Sequence, residues 1–206
     1  MKLLKLICII LILCLSHLFA FGQSNTFAGL KGGWLRSSLV GSDSESQQQK
    51  NGFNLGFTFN FSSANYLIGF QPEILFSKKG TSLEYLTIRE EYSLSYLEVP
   101  LLFKLSVPNE VLRPNVFAGP YVALKLYENF EYTELITGTT IEGSNQLEGT
   151  DYGAVFGAGV DFDLEVLMIT LDGRYNLGVN DLEKVETSED IKNGSLSFNI
   201  GMLYRF

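Results

Sequence analysis

The sequence has 206 residues, a length that suits one domain, and a formal net charge of −8 at neutral pH. An acidic chain lacks the basic surface that phosphate groups require, so we expect no nucleic-acid partner. The only cysteines, Cys8 and Cys14, and the only histidine, His17, lie near the start, which restricts thiol and imidazole chemistry to that segment.

Residues 1–22 have the layout of a secretory signal peptide. Lys2 and Lys5 precede an apolar run over Leu6–Phe19, and Ala20-Phe21-Gly22 places small residues before a cleavage site. A membrane-anchor helix is the alternative, but the apolar run is shorter than the roughly 20 residues that a spanning helix needs. We therefore predict a signal peptide at residues 1–22, with cleavage before Gln23, and one domain at residues 23–206.

Removal of this segment would leave a chain without cysteine or histidine. Its net charge would be −10, because 13 Lys and Arg would then stand against 23 Asp and Glu. Disulfides, thiolate metal sites, cysteine nucleophiles and imidazole catalysis would be excluded. We expect no cofactor, no metal site, no catalytic residue and no enzyme activity.

Beyond Gly22 the sequence alternates between apolar and polar side chains, which is the period of a β-strand. The alternating segments, in chain order, are Phe27–Leu35, Gly52–Phe61, Tyr66–Phe76, Tyr96–Leu105, Asn115–Leu126, Asp151–Phe162, Leu167–Leu177 and Ser195–Phe206. The second segment is the cleanest, since every other residue from Phe53 to Phe61 is Phe or Leu.

The apolar faces of these segments carry no charged residue. A charge that faces lipid at the midplane costs about 2–4 kcal/mol, so this absence indicates a lipid-facing band. The predicted fold is all-β, an eight-stranded antiparallel up-and-down transmembrane β-barrel. Pro72 and Pro120 interrupt two apolar faces, and we expect a bulge at each because proline removes a ladder hydrogen bond.

The gaps between segments alternate in length. The long gaps are Arg36–Asn51, Ser77–Ser95, Tyr127–Thr150 and Gly178–Gly194, and the shorter ones are Ser62–Asn65, Ser106–Pro114 and Asp163–Val166. Long extracellular loops and short periplasmic turns are typical of outer-membrane barrels. We expect a bacterial outer-membrane location with periplasmic termini. Alternation persists at Leu83, Tyr85 and Ile88, which predicts that the third and fourth strands extend beyond the membrane.

Alternation alone leaves the orientation open, because a soluble lipocalin-type barrel turns its apolar face inward. The polar face is rich in glycine, which fits a narrow eight-stranded interior: Gly29, Gly33, Gly56, Gly69, Gly119, Gly153, Gly157, Gly159 and Gly201. Aromatic residues lie near strand ends, as in interfacial girdles: Trp34, Phe53, Phe76, Tyr152 and Tyr175 at one rim, and Phe61, Tyr66, Phe162 and Tyr204 at the other. We therefore predict that the apolar face meets lipid.

The polar face carries charges of both signs: Lys31, Glu73, Glu98, Lys104, Lys125, Asp151, Asp161, Asp163, Asp172, Arg174 and Arg205. Buried charges persist when they are paired, so we interpret this set as an ion-pair network that fills the lumen. A proton or ion path is the alternative. Glu73 and Glu98 also suggest a general acid–base pair, but carboxylates alone specify little chemistry, and we predict no catalysis.

Three stretches resemble the PorT-like outer-membrane β-barrel family of Bacteroidetes-type bacteria: Tyr96–Lys104, Gly119-Pro120-Tyr121 and Gly29–Gly33. The alternating end of the chain, with Tyr204 and Phe206, resembles the signal read by the barrel-assembly machinery. The resemblance covers residues 23–206 and implies the barrel fold and assembly by that machinery. The relative that gives the family its name serves protein secretion, but no residue here specifies that role.

Acidic residues accumulate in one gap, where Leu126 to Gly173 contains no Lys or Arg. The glutamates of this stretch are Glu128, Glu131, Glu134, Glu142 and Glu148. Such a surface is usually solvated, and less often attracts cations or basic partners. The leading hypothesis is a structural or interaction role with membrane lipid and a surface or secretion-system protein. A narrow or gated porin for small solutes is second, and an enzyme is last.

Overall fold

The computed structural model describes residues 25–40, 47–85, 88–134, 140–143, 149–179 and 192–206, so the predicted signal peptide lies outside the described residues. Its strands are β1 (Asn25–Val40), β2 (Gln47–Ser62), β3 (Ile68–Tyr85), β4 (Ile88–Ser106), β5 (Leu112–Glu134), β6 (Thr140–Gly143), β7 (Thr150–Leu164), β8 (Leu167–Gly178) and β9 (Lys192–Arg205). Within these ranges, no helix is long and apolar enough to span a membrane.

All neighbouring strands pair antiparallel, and the sheet closes through the β4–β5 and β1–β9 ladders. The short strand β6 and the longer β7 occupy the same edge of β5, with β6 against Phe130–Thr133 and β7 against Leu112–Leu124. They therefore form one interrupted wall, and the barrel has eight positions around its circumference. The predicted eight-stranded antiparallel barrel is confirmed.

The two faces of the wall divide as the alternation predicts. On β2 the Phe57 side chain is 57% exposed, whereas Thr58 next to it is 1% exposed and turned into the lumen. The same division holds along β9, where Phe198, Ile200, Met202 and Tyr204 are exposed. Because large apolar side chains cover the outside and polar ones fill the inside, the orientation is that of a membrane barrel and not of a lipocalin.

The barrel has two ends, which we name by their connections. The short-turn end carries the starts of β1, β3, β5 and β8, and the turns at residues 63–67, 107–111 and 165–166. The long-loop end is opposite. Much of the predicted loop sequence there is strand instead, because β3 and β4 stay paired up to Tyr85 and Ile88. The predicted extension of these two strands is confirmed, and the long gaps are shorter than expected.

The predicted bulges at Pro72 and Pro120 are wrong. Pro72 lies opposite Leu101 and Pro120 opposite Ala154, and the register on either side of each proline is unchanged. The β2–β3 ladder drops its pairs beside Pro72 and then resumes in the same register. Proline lacks an N–H donor, so the ladder is interrupted beside Pro72, but no extra residue is inserted there.

Register shifts occur elsewhere: one on β2 between Gln49 and Phe53, against β3, and one on β5 at Leu126, against β4. Tyr96 is opposite Lys125 while Ser95 is opposite Tyr127, so Leu126 has no partner on β4. Leu126 and Tyr127 are both exposed, and Lys125 and Glu128 on either side form an ion pair of 2.5 Å. This bulge reverses which residues of β5 face outward, since a one-residue insertion shifts the alternation.

Most of the inward glycines are required by the close approach of neighbouring strands, and only secondarily by the limited space in the lumen. A Cβ atom on Gly119 would lie 1.9 Å from the carbonyl oxygen of Leu101, and one on Gly29 would lie 1.9 Å from that of Met202. Neighbouring backbones approach there so closely that no side chain fits. The sequence predicted glycine inside the barrel correctly, but for an incomplete reason.

Candidate functional site

The middle of the lumen is closed by four charged side chains, which we call the ion ring: Lys31, Glu73, Asp172 and Arg174. Lys31 Nζ lies 2.8 Å from Glu73 Oε1 and 2.5 Å from Asp172 Oδ2. Arg174 Nη1 lies 2.6 Å from Glu73 Oε2, and its Nε lies 3.2 Å from Asp172 Oδ1. Each cation therefore contacts both carboxylates, and the ring has no net charge.

Glu73 joins opposite walls of the barrel. It lies on β3 and Arg174 on β8, four positions away around an eight-membered circle. Its Oε1 also accepts hydrogen bonds from Gln71 Nε2 at 2.7 Å and from Thr58 Oγ1 at 3.5 Å. The carboxylate is fully buried, and its paired, hydrogen-bonded oxygens offset the cost of burying the charge.

A second cluster, the aromatic tier, lies between the ion ring and the long-loop end. Lys79 pairs with Glu98, and its Nζ lies 5.7 Å and 5.6 Å from the ring centroids of Tyr96 and Tyr121. Tyr121 Oη donates a hydrogen bond of 3.1 Å to Asp151 Oδ2. Glu98 pairs with Lys79, whereas Glu73 pairs with Lys31 and Arg174, so each glutamate is held by its own cations.

A third cluster, the basal tier, fills the short-turn end. Lys104 Nζ lies 3.1 Å from Asp161 Oδ2, and Arg113 Nη1 lies 2.8 Å from Asp163 Oδ2. Arg205 also pairs with Asp163, and its guanidinium lies 4.9 Å from the ring centroid of Phe27. The neighbouring aspartates of β7 are therefore structural ion-pair partners.

The alternation predicted that Tyr66 faces outward in an interfacial girdle, and this prediction is wrong. It adopts a positive φ of 59° in the turn before β3 and is only partly buried. Its ring lies 3.8 Å from the Arg113 guanidinium carbon and packs on the apolar cluster of Phe27, Met168 and Leu203. The turn ends the alternation two residues before β3 begins, and so the ring closes the base of the lumen.

The structure places every sequence-predicted lumen charge inside or at the rim of the barrel. Lys125 is paired with Glu128 beyond the aromatic tier, and Arg205 at the short-turn rim is about one-third exposed. Sequence reasoning missed Lys79 and Arg113, which are 4% and 2% exposed. Both continue the inward alternation of their strands, Lys79 after Ser77 and Arg113 before Asn115, so extending the strands would have found them.

Sequence reasoning also missed the apolar part of the filling. One cluster fills the β4–β5–β7 side towards the long-loop end: Leu94, Tyr96, Leu102, Phe117, Tyr121, Ala123 and Val155. The inside is therefore not uniformly polar.

Among the described residues, no group of three or more His, Cys, Asp or Glu is arranged to hold a metal ion. A groove of about 270 Å³ lies on the outer wall around Gly32, between Leu30, Leu55, Ile200 and Met202.

Beyond the bulge, β2 to β6 form a sheet that rises at the long-loop end. Its register sets Glu91 of β4 opposite Glu131 of β5, and Glu131 opposite Glu142 of β6. Like charges placed directly opposite each other destabilise a sheet. We call these three residues the glutamate row.

A closed barrel with an apolar outer band and an ion-paired lumen defines a small membrane-spanning β-barrel protein. Residues 21–184 match the family described as outer membrane protein beta-barrel domain, and the chain belongs to this family. No curated protein matches the chain.

Several solved structures are similar to the chain at low identity. Ail, the attachment invasion locus protein of Yersinia pestis, is 16% identical, with a TM-score of 0.43 over 88% of this chain and 99% of that one. Neisserial surface protein A is 13% identical, with a TM-score of 0.44 over 85% and 95%. The N-terminal barrel of Pseudomonas aeruginosa OprF is 13% identical, with a TM-score of 0.37 over 85% and 97%.

Proposed function

We propose that the protein is a non-enzymatic outer-membrane barrel with a closed lumen, and that its long-loop end binds a basic partner. The observation that carries this proposal is the glutamate row. The register sets Glu131 between two other glutamates, an order that is unfavourable in a sheet, and such local conflicts are typical of functional surfaces. Clustered Lys or Arg groups on a partner would relieve the repulsion.

The closed lumen supports an interaction role over transport. The Glu73–Arg174 contact crosses the lumen, and the ion ring satisfies both carboxylates at once. A hydrated ion could pass only if several of these pairs separated together. The chain from Gln23 onwards also lacks the histidine and cysteine that most hydrolytic mechanisms use, which supports the absence of enzyme activity.

Single-channel recording in a planar bilayer tests the closed lumen. We expect the folded protein to give no openings above the empty bilayer. Steady, reproducible openings would contradict the proposal and would put the narrow or gated porin first.

Binding of a lysine decapeptide to the protein in lipid vesicles tests the basic partner. We expect saturable binding that weakens with added salt, because screening reduces attraction between exposed charges. Glu131→Gln should weaken it, whereas Glu110→Gln should not, because Glu110 is exposed at the opposite, short-turn end. Equal binding by both variants would show that the glutamate row does not carry the interaction.

The orientation and the finer family belong to the same proposal. The strand order supports periplasmic termini and extracellular long loops. The resemblance of Tyr96–Lys104 to the PorT-like family supports insertion by the barrel-assembly machinery and a role beside a secretion system. Labelling of intact cells with a membrane-impermeant reagent would test the orientation. The Asn129→Cys variant should react in intact cells, and reaction only after cell lysis would reverse the assignment.

A further inference from the structure

The outer wall of the barrel has a groove at the seam between β1 and β2. Gly32 faces outward on β1, in register with Leu55 on β2 and Ile200 on β9, and the groove of about 270 Å³ lies where it has no side chain. The apolar side chains of Leu30, Leu55, Ile200 and Met202 surround this groove. Because this face of the wall meets lipid, the group that reaches the groove is a lipid acyl chain.

The seam extends from the groove towards the long-loop end between two pairs of aromatic rings. Trp34 and Phe53 are register partners across the seam. Trp34 stacks on Phe198 of β9, with ring centroids 6.2 Å apart, and Phe53 packs on Phe76 of β3 at 6.1 Å. Each ring therefore packs on the strand at its far side, away from the seam, and an extended chain can follow the seam between them.

Polar side chains lie where the seam reaches the long-loop rim. Arg36 follows Trp34 on the outward face of β1 and lies in register with Asn51 of β2. Lys78 of β3 lies in register with Phe53. The side chains of Arg36, Asn51 and Lys78 are exposed. They come from three neighbouring strands and all carry N–H donors, a set that suits the oxygens of a phosphate group.

Arg36 and Lys78 form no ion pair with any residue that the structure describes. The other cationic side chains whose burial is described are buried or partly buried. At the short-turn rim, the outward side chains near the strand ends are exposed and apolar: Ile68, Leu105, Leu112 and Leu164. Within the described part of the wall, exposed positive charge is therefore confined to the long-loop rim, beside the seam.

We propose that the β1–β2 seam binds one anionic lipid, with its headgroup phosphate at Arg36, Asn51 and Lys78 and an acyl chain in the groove at Gly32. Gly32 and Arg36 are four residues apart on the same face of β1, which is about 13 Å at about 3.3 Å per residue. Free phosphate would meet only the rim and a neutral lipid only the groove, whereas an anionic lipid meets both. The site does not depend on the glutamate row or on a basic partner.

Trp34 reports on the seam, because it is the only tryptophan and lies between the groove and Arg36. The folded protein is placed in phosphatidylcholine vesicles with a small fraction of phosphatidylglycerol, and one of the two lipids carries brominated acyl chains, which quench tryptophan fluorescence on contact. We expect phosphatidylglycerol to occupy the site at least about five times more tightly than phosphatidylcholine, because cations beside the headgroups attract anionic lipid. Equal occupancy would overturn the proposal.

Neutral variants test the headgroup contacts. The double variant Arg36→Gln, Lys78→Gln should lose the preference for phosphatidylglycerol. Lys50→Gln is the control, since Lys50 lies at the same end but opposite the buried Ser37, and its Nζ donates to Ser93 Oγ at 3.0 Å. An equal loss in the control would show a general effect of net charge and would overturn the site.

Native mass spectrometry of the protein in detergent tests the groove, because it counts the lipids that stay bound. We expect one retained phosphatidylglycerol, fewer in Gly32→Leu, and no change in Gly173→Leu. Both glycines face outward, and a Cβ atom would lie 3.2 Å from Leu55 Cδ1 at Gly32 and 3.3 Å from Phe198 Cε1 at Gly173. Heat-modifiable migration reports the folding of each variant. Displacement of the lipid by glycerol phosphate, which has no acyl chain, would assign the site to free phosphate and overturn the proposal.

Discussion

Glu73 links several of the side chains that fill the lumen. It is fully buried, contacts Lys31 and Arg174, and accepts hydrogen bonds from Gln71 and Thr58. Removing one partner of a buried pair leaves the other charge uncompensated, which costs more than the pair contributes when intact. The ion ring is therefore sensitive to single substitutions.

We expect Glu73→Gln to lower the free energy of unfolding by about 3 kcal/mol or more, because two buried cations lose one of their two carboxylates. Urea unfolding in lipid vesicles, followed by the fluorescence of Trp34, the only tryptophan, measures this change. Glu110→Gln is the matched control, because Glu110 is exposed in a turn at the short-turn end. Similar midpoints for the two variants would argue that the ring contributes little.

Gly119→Ala tests the close approach of β4 and β5. The new methyl group would lie 1.9 Å from the Leu101 carbonyl oxygen, so the backbone has to move and the ladder should weaken. Gly149→Ala is the control, since nothing lies within 4 Å of its Cβ position. We expect a smaller folded fraction by heat-modifiable migration for Gly119→Ala alone. Unchanged folding of both variants would show that the strands can separate at no cost.

For single residues, the sequence predicts which side chains face the lumen better than it predicts which of them pair. Alternation assigns Lys31, Glu73 and Arg174 to one inner face, because side-chain direction in a strand has period two. It does not say that Glu73 pairs across the lumen with Arg174, since that contact depends on the shear of the closed barrel. It also misplaces Tyr66, because a turn residue with positive φ no longer obeys the strand period.

The bulge at Leu126 marks a change in the surroundings of β5. Before it, the outward residues are apolar and exposed, as at Val122 and Leu124. After it, the alternation that turns Glu128 inward turns Asn129 and Glu131 outward, and Asn129 Nδ2 donates to Glu131 Oε1 at 3.0 Å. An apolar band that gives way to polar residues at a bulge is what a strand leaving the bilayer requires.

Lysine substitutions on either side of the bulge test this boundary. Val122→Lys places a charge in lipid and should cost up to about 2–4 kcal/mol, depending on depth. Asn129→Lys, on the same strand beyond the bulge, should change stability by less than about 0.5 kcal/mol, as surface substitutions do. Urea unfolding of both variants in vesicles measures the difference. Equal losses would place Asn129 in the membrane.

Substitutions at Phe206, directly after β9, test whether the end of the chain acts as an assembly signal. Phe206 is 79% exposed, its ring lies 5.5 Å from that of Tyr204, and its N–H donates to the Thr26 carbonyl at 3.0 Å. Deletion of Phe206 should reduce the amount of folded barrel in cells, whereas Phe206→Tyr keeps an aromatic terminus and should not. Unchanged heat-modifiable migration of the deletion variant would remove this role from Phe206.

Strand identity was predictable and strand length was not. Apolar–polar alternation located all eight wall positions, because one face meets lipid over its whole height. Beyond the bilayer the outward face need not be apolar, so the signal fades although pairing continues, as in β3 and β4 up to Tyr85 and Ile88. The bulge at Leu126 escaped for a related reason, since two adjacent exposed residues look like the end of a strand.

For the whole molecule, composition and alternation identified the class and left the role open. Every lumen cluster is explained by filling: the ion ring at mid-height, the aromatic tier above it and the basal tier below. What filling does not explain is the glutamate row and the unpaired buried side-chain atoms of Asn54, Asn176 and Arg174. The acidic stretch that holds Glu131 and Glu142 is visible in the sequence, but only the register sets it in line with Glu91.

The β1–β9 ladder also determines at which stage of synthesis the barrel can close. β1 is synthesised before the other strands and β9 after them. The barrel wall keeps two free edges until these strands pair, as Phe27 does with Arg205. Lipid offers no hydrogen-bond partner to an open edge, so strands cannot enter one at a time as they leave the ribosome. Closing a loop that spans nearly the whole chain is entropically costly and slow. Until β9 is available, the alternating strands are therefore unpaired and exposed to aggregation.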